Sequence, residues 1–116
     1  WSEDEAQIDA VPAVSGSGPA YIFHFIEALT AAAKSIGFDD TSATALARQT
    51  VIGAAALANA QPDIDAATLR KNVTSPGGTT EAGLKVLMEH APVNLEELLT
   101  ETVKAAEQRG KELGKA

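Results

Sequence analysis

The residues that could do chemistry in this chain gather in one stretch, Val73-Thr74-Ser75-Pro76-Gly77-Gly78-Thr79-Thr80-Glu81. Pro76 biases Ser75 toward an extended backbone and away from αR. Gly77 and Gly78 admit positive φ and let another group approach the main chain closely. Apolar patterns of helical period flank the stretch, so a helix must begin just beyond it. Thr79 or Thr80 is placed to cap that helix, with Glu81 in its first turn. The pattern predicts a Gly-rich turn whose hydroxyls and free N–H groups face outward at a helix N-terminus, which is an anion site. The same residues would also make an ordinary connection between two helices. No Gly-Lys-Ser/Thr follows, so the turn is not a Walker A loop.

A second glycine-rich stretch, Ser15-Gly16-Ser17-Gly18-Pro19-Ala20-Tyr21, begins like a dinucleotide fingerprint. It then fails, because Tyr21 stands where the third glycine would fall and nothing before it reads as a strand. It reads either as a rigid helix start facing a ligand or as a plain helix-starting turn. His24 and His90 are the two histidines. His24 sits among Ile22, Phe23 and Phe25 and reads as a packed or hydrogen-bonded side chain. His90 falls at a predicted helix C-terminus, where partial positive charge is favourable. Neither belongs to a zinc motif, and no metal site is expected. The acidic run Glu3-Asp4-Glu5 and the pair Glu96-Glu97 read as solvated faces. No nucleophile–base pair stands out.

The elements that position these residues are all read as helices. Residues 1–17 form a polar, acidic leading segment with a short helix near 5–11. The turn at 15–19 then starts helix one, with Ser17 as cap and Pro19 in the first turn, running to about 36. Ile22, Ile26, Leu29, Ala33 and Ile36 make its main stripe, but Phe23 and Phe25 lie off it, so the helix is apolar on several faces and predicted to be buried on them. Gly37 is the stop, at C′. Helix two starts near Asp40 or Thr41 and ends about 59. Gly53 in its middle costs up to ~1 kcal/mol against alanine, which a close helix crossing would offset. Asp65 caps a short helix to about 72. Helix four covers about 79–89, with Leu84, Leu87 and Met88 inward. Asn94 caps a fifth helix, with Glu97 in capping-box register, running to about 109 before a fraying tail. No stretch alternates with period two, so no strand is predicted.

The 116 residues are enough for one domain. Hydrophobic residues make up 45%, yet aromatics only 4%, so the core lacks large side chains and calls for a partner. There is no cysteine, which excludes disulfides and Cys-ligated metals and leaves a cytosolic home as the default. The net charge of −7 argues against a nucleic-acid partner. No apolar run suits a membrane span or a signal peptide. The chain begins at Trp1 and its single methionine is Met88, so it is expected to be part of something longer.

Two segments taken together carry a family resemblance. Ser15-Gly16-Ser17-Gly18-Pro19-Ala20-Tyr21, followed later by Leu69-Arg70-Lys71-Asn72-Val73-Thr74-Ser75-Pro76-Gly77-Gly78-Thr79-Thr80 and Gly83-Leu84, resembles pyrroline-5-carboxylate reductase. The second segment looks like that family's signature. The resemblance spans residues 1–116 but only the C-terminal helical half of the family's protein. It implies an all-α bundle of about five helices in an intertwined homodimer, or a higher homo-oligomer, similar to the 6-phosphogluconate dehydrogenase C-terminal domain. It implies a cytoplasmic oxidoreductase that makes proline from 1-pyrroline-5-carboxylate with NADPH or NADH, the last step of proline synthesis. The nucleotide is expected on the missing N-terminal half, so this chain alone is expected to be inactive.

By the same resemblance, Ser75, Gly77, Gly78, Thr79 and Thr80 bind the substrate carboxylate and ring nitrogen, and Thr80 takes the catalytic position. Ser15, Gly16, Ser17, Gly18 and Pro19 match a motif near the active site. One departure is Asp65-Ala66, where many members have His-Pro; it puts the start of the short helix and contacts near Asp63 in doubt. Two other readings stay open: a non-catalytic helical dimerisation domain, and the helical domain of another two-domain NAD(P)-dependent dehydrogenase.

Overall fold

The structure is a computed structural model and describes residues 10–114. Those residues are helical or in turns, without a strand. A π-helical segment, Pro12–Gly16, is followed by α1 (Gly18–Ser35), α2 (Asp40–Ala60), α3 (Ala66–Asn72), α4 (Thr79–Glu89) and α5 (Leu95–Gly114). The all-α expectation and its five helices hold. Most of the short helix predicted near 5–11 lies outside the described residues. Two compact units divide the described residues: 10–20 with 79–114, and 21–78.

In the first unit, α5 packs against the π-helical segment and against α4. Ala13, on the π-helical segment, is 3% exposed. Helical spacing predicts Leu95, Leu98, Leu99, Thr102, Val103 and Ala106 on one side of α5; Leu95, Thr102, Val103 and Ala106 are half-buried, whereas Leu98 and Leu99 are exposed instead. On α4 only Leu84 is half-buried; Leu87 and Met88 are exposed rather than inward. Asn94 caps α5 as expected, accepting the Glu97 N–H at 2.9 Å. The helix continues past residue 109 through Gly114. Arg109 pairs with Glu112 at 3.2 Å and Lys111 with Glu107 at 3.8 Å, so the charged tail prolongs the helix through neighbouring pairs.

The second unit holds most of α1, then α2, α3 and the Gly-rich turn. Gly37 ends α1 with φ 113°. The Phe38 N–H donates to Ala33 O and the Gly37 N–H to Lys34 O, which is the Schellman pattern. Asp39 caps α2, accepting the Ser42 N–H at 2.7 Å. That carboxylate sits one residue before the predicted start. On α2 the small residues Ala43 and Ala47 are buried, at 0% and 1% exposure.

The large apolar side chains behave otherwise. Phe23 is 66% exposed and Ile36 78%, with Ile22, Phe25, Leu46, Ile52 and Leu57 also exposed. No large side chain among the described residues is fully buried. The several-faced burial predicted for α1 is therefore not achieved within this chain. Nor is the crossing predicted at Gly53, where nothing lies within 4 Å of the place a Cβ would take. An apolar-floored cleft of about 570 Å³, lined by Phe23, Ile26 and Ala31 of α1 and Thr44 of α2, is open to solvent. Lys34 and Asp40 pair at 3.4 Å along its wall. No described helix is long and apolar enough to cross a membrane.

Candidate functional site

The Gly-rich turn is built from α3 forward. Asp65 caps α3, its carboxylate accepting the Thr68 N–H at 2.8 Å. An aspartate in place of His-Pro thus leaves the helix start intact. The Thr68 hydrogen bonds, from side chain and backbone, hold the Asp65 carboxyl below its ordinary 3.8. Asp39 is lowered likewise, first by the Ser42 backbone N–H and then by its hydroxyl. At the far end of α3, Val73 N–H donates to Arg70 O at 3.3 Å and Thr74 N–H to Lys71 O at 3.1 Å. The Thr74 hydroxyl also donates to Arg70 O, at 2.6 Å.

The chain then reverses. Gly78 N–H donates to Ser75 O at 3.0 Å, and Gly77 has φ 72°. Proline second and a positive-φ glycine third define a type II turn over Ser75-Pro76-Gly77-Gly78. A Cβ on Gly77 would be strained by that φ alone. At Gly78 a Cβ would stand 3.2 Å from Ser75 O and 3.5 Å from Ser75 Cβ. Both glycines are therefore tied to the placement of Ser75, for different reasons.

Helix α4 begins at Thr79 itself. Thr79 and Thr80 are the first two helical residues, so neither is the cap that the sequence suggested; Gly78 occupies that place. Ser75, Thr79 and Thr80 are exposed, and Gly78 is half-buried. A helix N-terminus carries partial positive charge and is suited to an anion.

The other predicted residues stand as follows. Ser15 and Gly16 lie in the π-helical segment, Ser17 joins it to α1, and Gly18 and Pro19 open α1. A turn was predicted here, but Ser17 has φ −85° and ψ −20°, so the backbone stays helical and the extended N-cap geometry is not formed. Ser15 Oγ donates to Val11 O at 3.1 Å, and Ser17 N–H to Pro12 O at 2.9 Å. Pro12 removes a donor at the start of the segment, and the wider i→i+5 ring follows it. His24 is hydrogen-bonded, Nδ1 to Glu27 Oε1 at 3.2 Å, but exposed rather than packed. His90 follows α4, its Nδ1–H donating to Val93 O at 3.1 Å. No group of acidic, histidine or cysteine side chains among the described residues could hold a metal.

With this geometry in hand, relatives are informative. The sequence model of the family "Pyrroline-5-carboxylate reductase dimerisation" matches residues 5–113. A pyrroline-5-carboxylate reductase of Pseudomonas aeruginosa is 46% identical over 97% of this chain and 40% of its own length. Pyrroline-5-carboxylate reductase 2 of Bacillus subtilis is 41% identical over 95% of this chain. Among solved structures, a pyrroline-5-carboxylate reductase from Coxiella burnetii superposes with TM-score 0.88 at 47% identity, covering 97% of this chain and 40% of the other. The Plasmodium falciparum pyrroline carboxylate reductase with NADP bound superposes with TM-score 0.84 at 32% identity, covering 96% and 41%.

The chain is thus an all-helical domain of a dimerisation family. It belongs to the pyrroline-5-carboxylate reductase dimerisation family. It spans about 40% of the length of the curated relatives it matches.

Proposed function

We propose that this chain is the helical, dimer-forming and substrate-holding part of an enzyme that reduces 1-pyrroline-5-carboxylate to L-proline, the last step of proline biosynthesis. The observation that carries this reading is the type II turn with its exposed Ser75, followed directly in sequence by the first residues of α4. The substrate is a small ring bearing a carboxylate and an imine. A carboxylate suits the partial positive charge of a helix N-terminus. Ser75 adds a hydroxyl donor, and Gly77 and Gly78 let the ligand come close to the main chain. Thr79 and Thr80, the next two residues, carry hydroxyls toward the ring; Thr80 faces the ring nitrogen.

NADPH or NADH, when bound, supplies a hydride to the carbon of the C=N bond, and it is held mainly by the part of the full-length enzyme outside this chain. The ring nitrogen takes up a proton and becomes the amine of proline. This chain's residues orient the ring and stabilise charge at the nitrogen, a role that needs no strong protein base. Ser15, Gly16, Ser17, Gly18 and Pro19 lie near that site in the full-length enzyme. The apolar faces of α1 and α2 are closed by a second copy in a homodimer, which higher assembly would extend. A cytoplasmic home belongs to the same reading.

The alternatives, a non-catalytic dimerisation domain or the helical part of a dehydrogenase with another substrate, differ in ligand contact. Titrating L-proline into the full-length protein and following amide resonances should shift Ser75, Gly77, Gly78, Thr79 and Thr80. Shifts confined to other regions would contradict the proposed site.

A further inference from the structure

We propose that Thr74 is a positioning residue: its hydroxyl clamps the exit of α3 and so sets where Ser75 stands. This rests on the reading that Ser75 holds the substrate carboxylate. Helix α3 has seven residues and ends without a left-handed glycine; Val73, its C-cap, has φ −108° and ψ 13°. At the end of α1, the positive-φ Gly37 lets the Gly37 and Phe38 N–H groups reach Lys34 O and Ala33 O, and Ser35 Oγ donates to Ala32 O. At the end of α3, Thr74 Oγ donates to Arg70 O at 2.6 Å beside the bonds from Val73 and Thr74 N–H.

Thr30, Thr50, Thr100 and Thr102 make the same bond four residues back. They do so inside helices, where the backbone is already fixed and the bond changes little. Thr74 lies beyond the last residue of α3, so here the hydroxyl itself selects the direction of the chain. Thr74 is half-buried, whereas its neighbour Ser75 is exposed. Of two adjacent hydroxyls, one is committed to the helix end and the other stands at the surface. Downstream, Pro76 and the Gly78 N–H on Ser75 O hold the other side of Ser75. The upstream hold is the one that depends on a side-chain donor.

The test compares variants of the full-length enzyme. Thr74→Val keeps the shape and loses the donor; Thr74→Ala also loses it without the added methyl; Thr74→Ser keeps it. Losing one neutral hydrogen bond should raise KM for pyrroline-5-carboxylate about five- to tenfold in both donor-free variants. KM for the nicotinamide should stay at the wild-type value, and Thr74→Ser should restore the substrate KM. A fall in melting temperature with unchanged substrate KM in the Val and Ala variants would overturn the proposal and leave Thr74 a structural cap. Ser75→Ala is measured alongside. If it raises KM while Thr74→Val and Thr74→Ala do not, the positioning role alone fails. If Ser75→Ala has no effect, the substrate-holding reading falls and takes this one with it.

Discussion

The proposed function asks different things of Ser75 and Thr80, and kinetics can separate them. A carboxylate is the same in ground and transition states, so on that reading the Ser75 hydroxyl would give uniform binding. The nitrogen changes charge as hydride arrives, so the Thr80 hydroxyl would act partly in the transition state alone. Hydrogen bonds to charged groups contribute about 1.5–3 kcal/mol, so Ser75→Ala and Thr80→Ala should each lower kcat/KM roughly ten- to a hundredfold in the full-length enzyme. For Ser75→Ala the loss should appear as raised KM; for Thr80→Ala part of it should appear in kcat. Because α4 starts at Thr79, Thr80 is not its cap, and Thr80→Ala should leave the melting temperature nearly unchanged. Wild-type kinetics in both variants would contradict their roles. At this scale the sequence was legible where covalent restriction decides conformation. Pro76 and Gly77 allow a type II turn and little else. The Thr74 bond was not legible, because nothing in its spacing distinguishes an inward hydroxyl from an outward one.

Helix boundaries follow from capping chemistry, and this is where sequence and structure agree best. Gly37, Asp65 and Asn94 end or begin helices where their residue types predict. Asp39 and Asp40 are adjacent carboxylates and either could cap by type; the extended ψ of 169° at Asp39 makes it the cap. The π-helical segment was also missed. Gly16 and Gly18 read as a turn, but glycine permits a helix as well as interrupting one, and the packing of α5 against Pro12–Gly16 holds the backbone helical.

A pH dependence follows from the two aspartate caps. Both have folded-state values below the ordinary 3.8. A lowered carboxyl contributes stability that is complete above the unfolded value and is lost as pH falls through the folded one. Melting temperature should therefore be flat above about pH 5 and drop below the ordinary aspartate range. Asp39→Asn and Asp65→Asn, which keep the cap without the charge, should flatten that acid limb. An unchanged acid limb in the double variant would show that other carboxylates set it.

The whole molecule is unusual for a single folded chain in what it leaves uncovered. Among the described residues the buried side chains are alanines, while phenylalanine, isoleucine and leucine side chains of α1 and α2 stay exposed. Such a surface calls for a partner. The low aromatic content already pointed that way, as did an apolar pattern on several faces of α1. What one sequence could not give is which faces close within the chain and which across copies, since periodicity marks an apolar face without naming its occupant. Gly53 marks a place for close approach: no described atom outside its own helix backbone lies within 4 Å of where its Cβ would stand. Gly53→Leu is accommodated by a lone chain but should weaken self-association by at least tenfold, read as the dissociation constant; an unchanged constant would remove Gly53 from the interface.

The most direct test of the dimerising role is the solution mass of the 116-residue chain, measured by light scattering at micromolar concentration alongside its circular dichroism. A helical dimer or larger assembly is predicted, its helicity falling together with its mass on dilution. A stable, fully helical monomer that persists on dilution would contradict it.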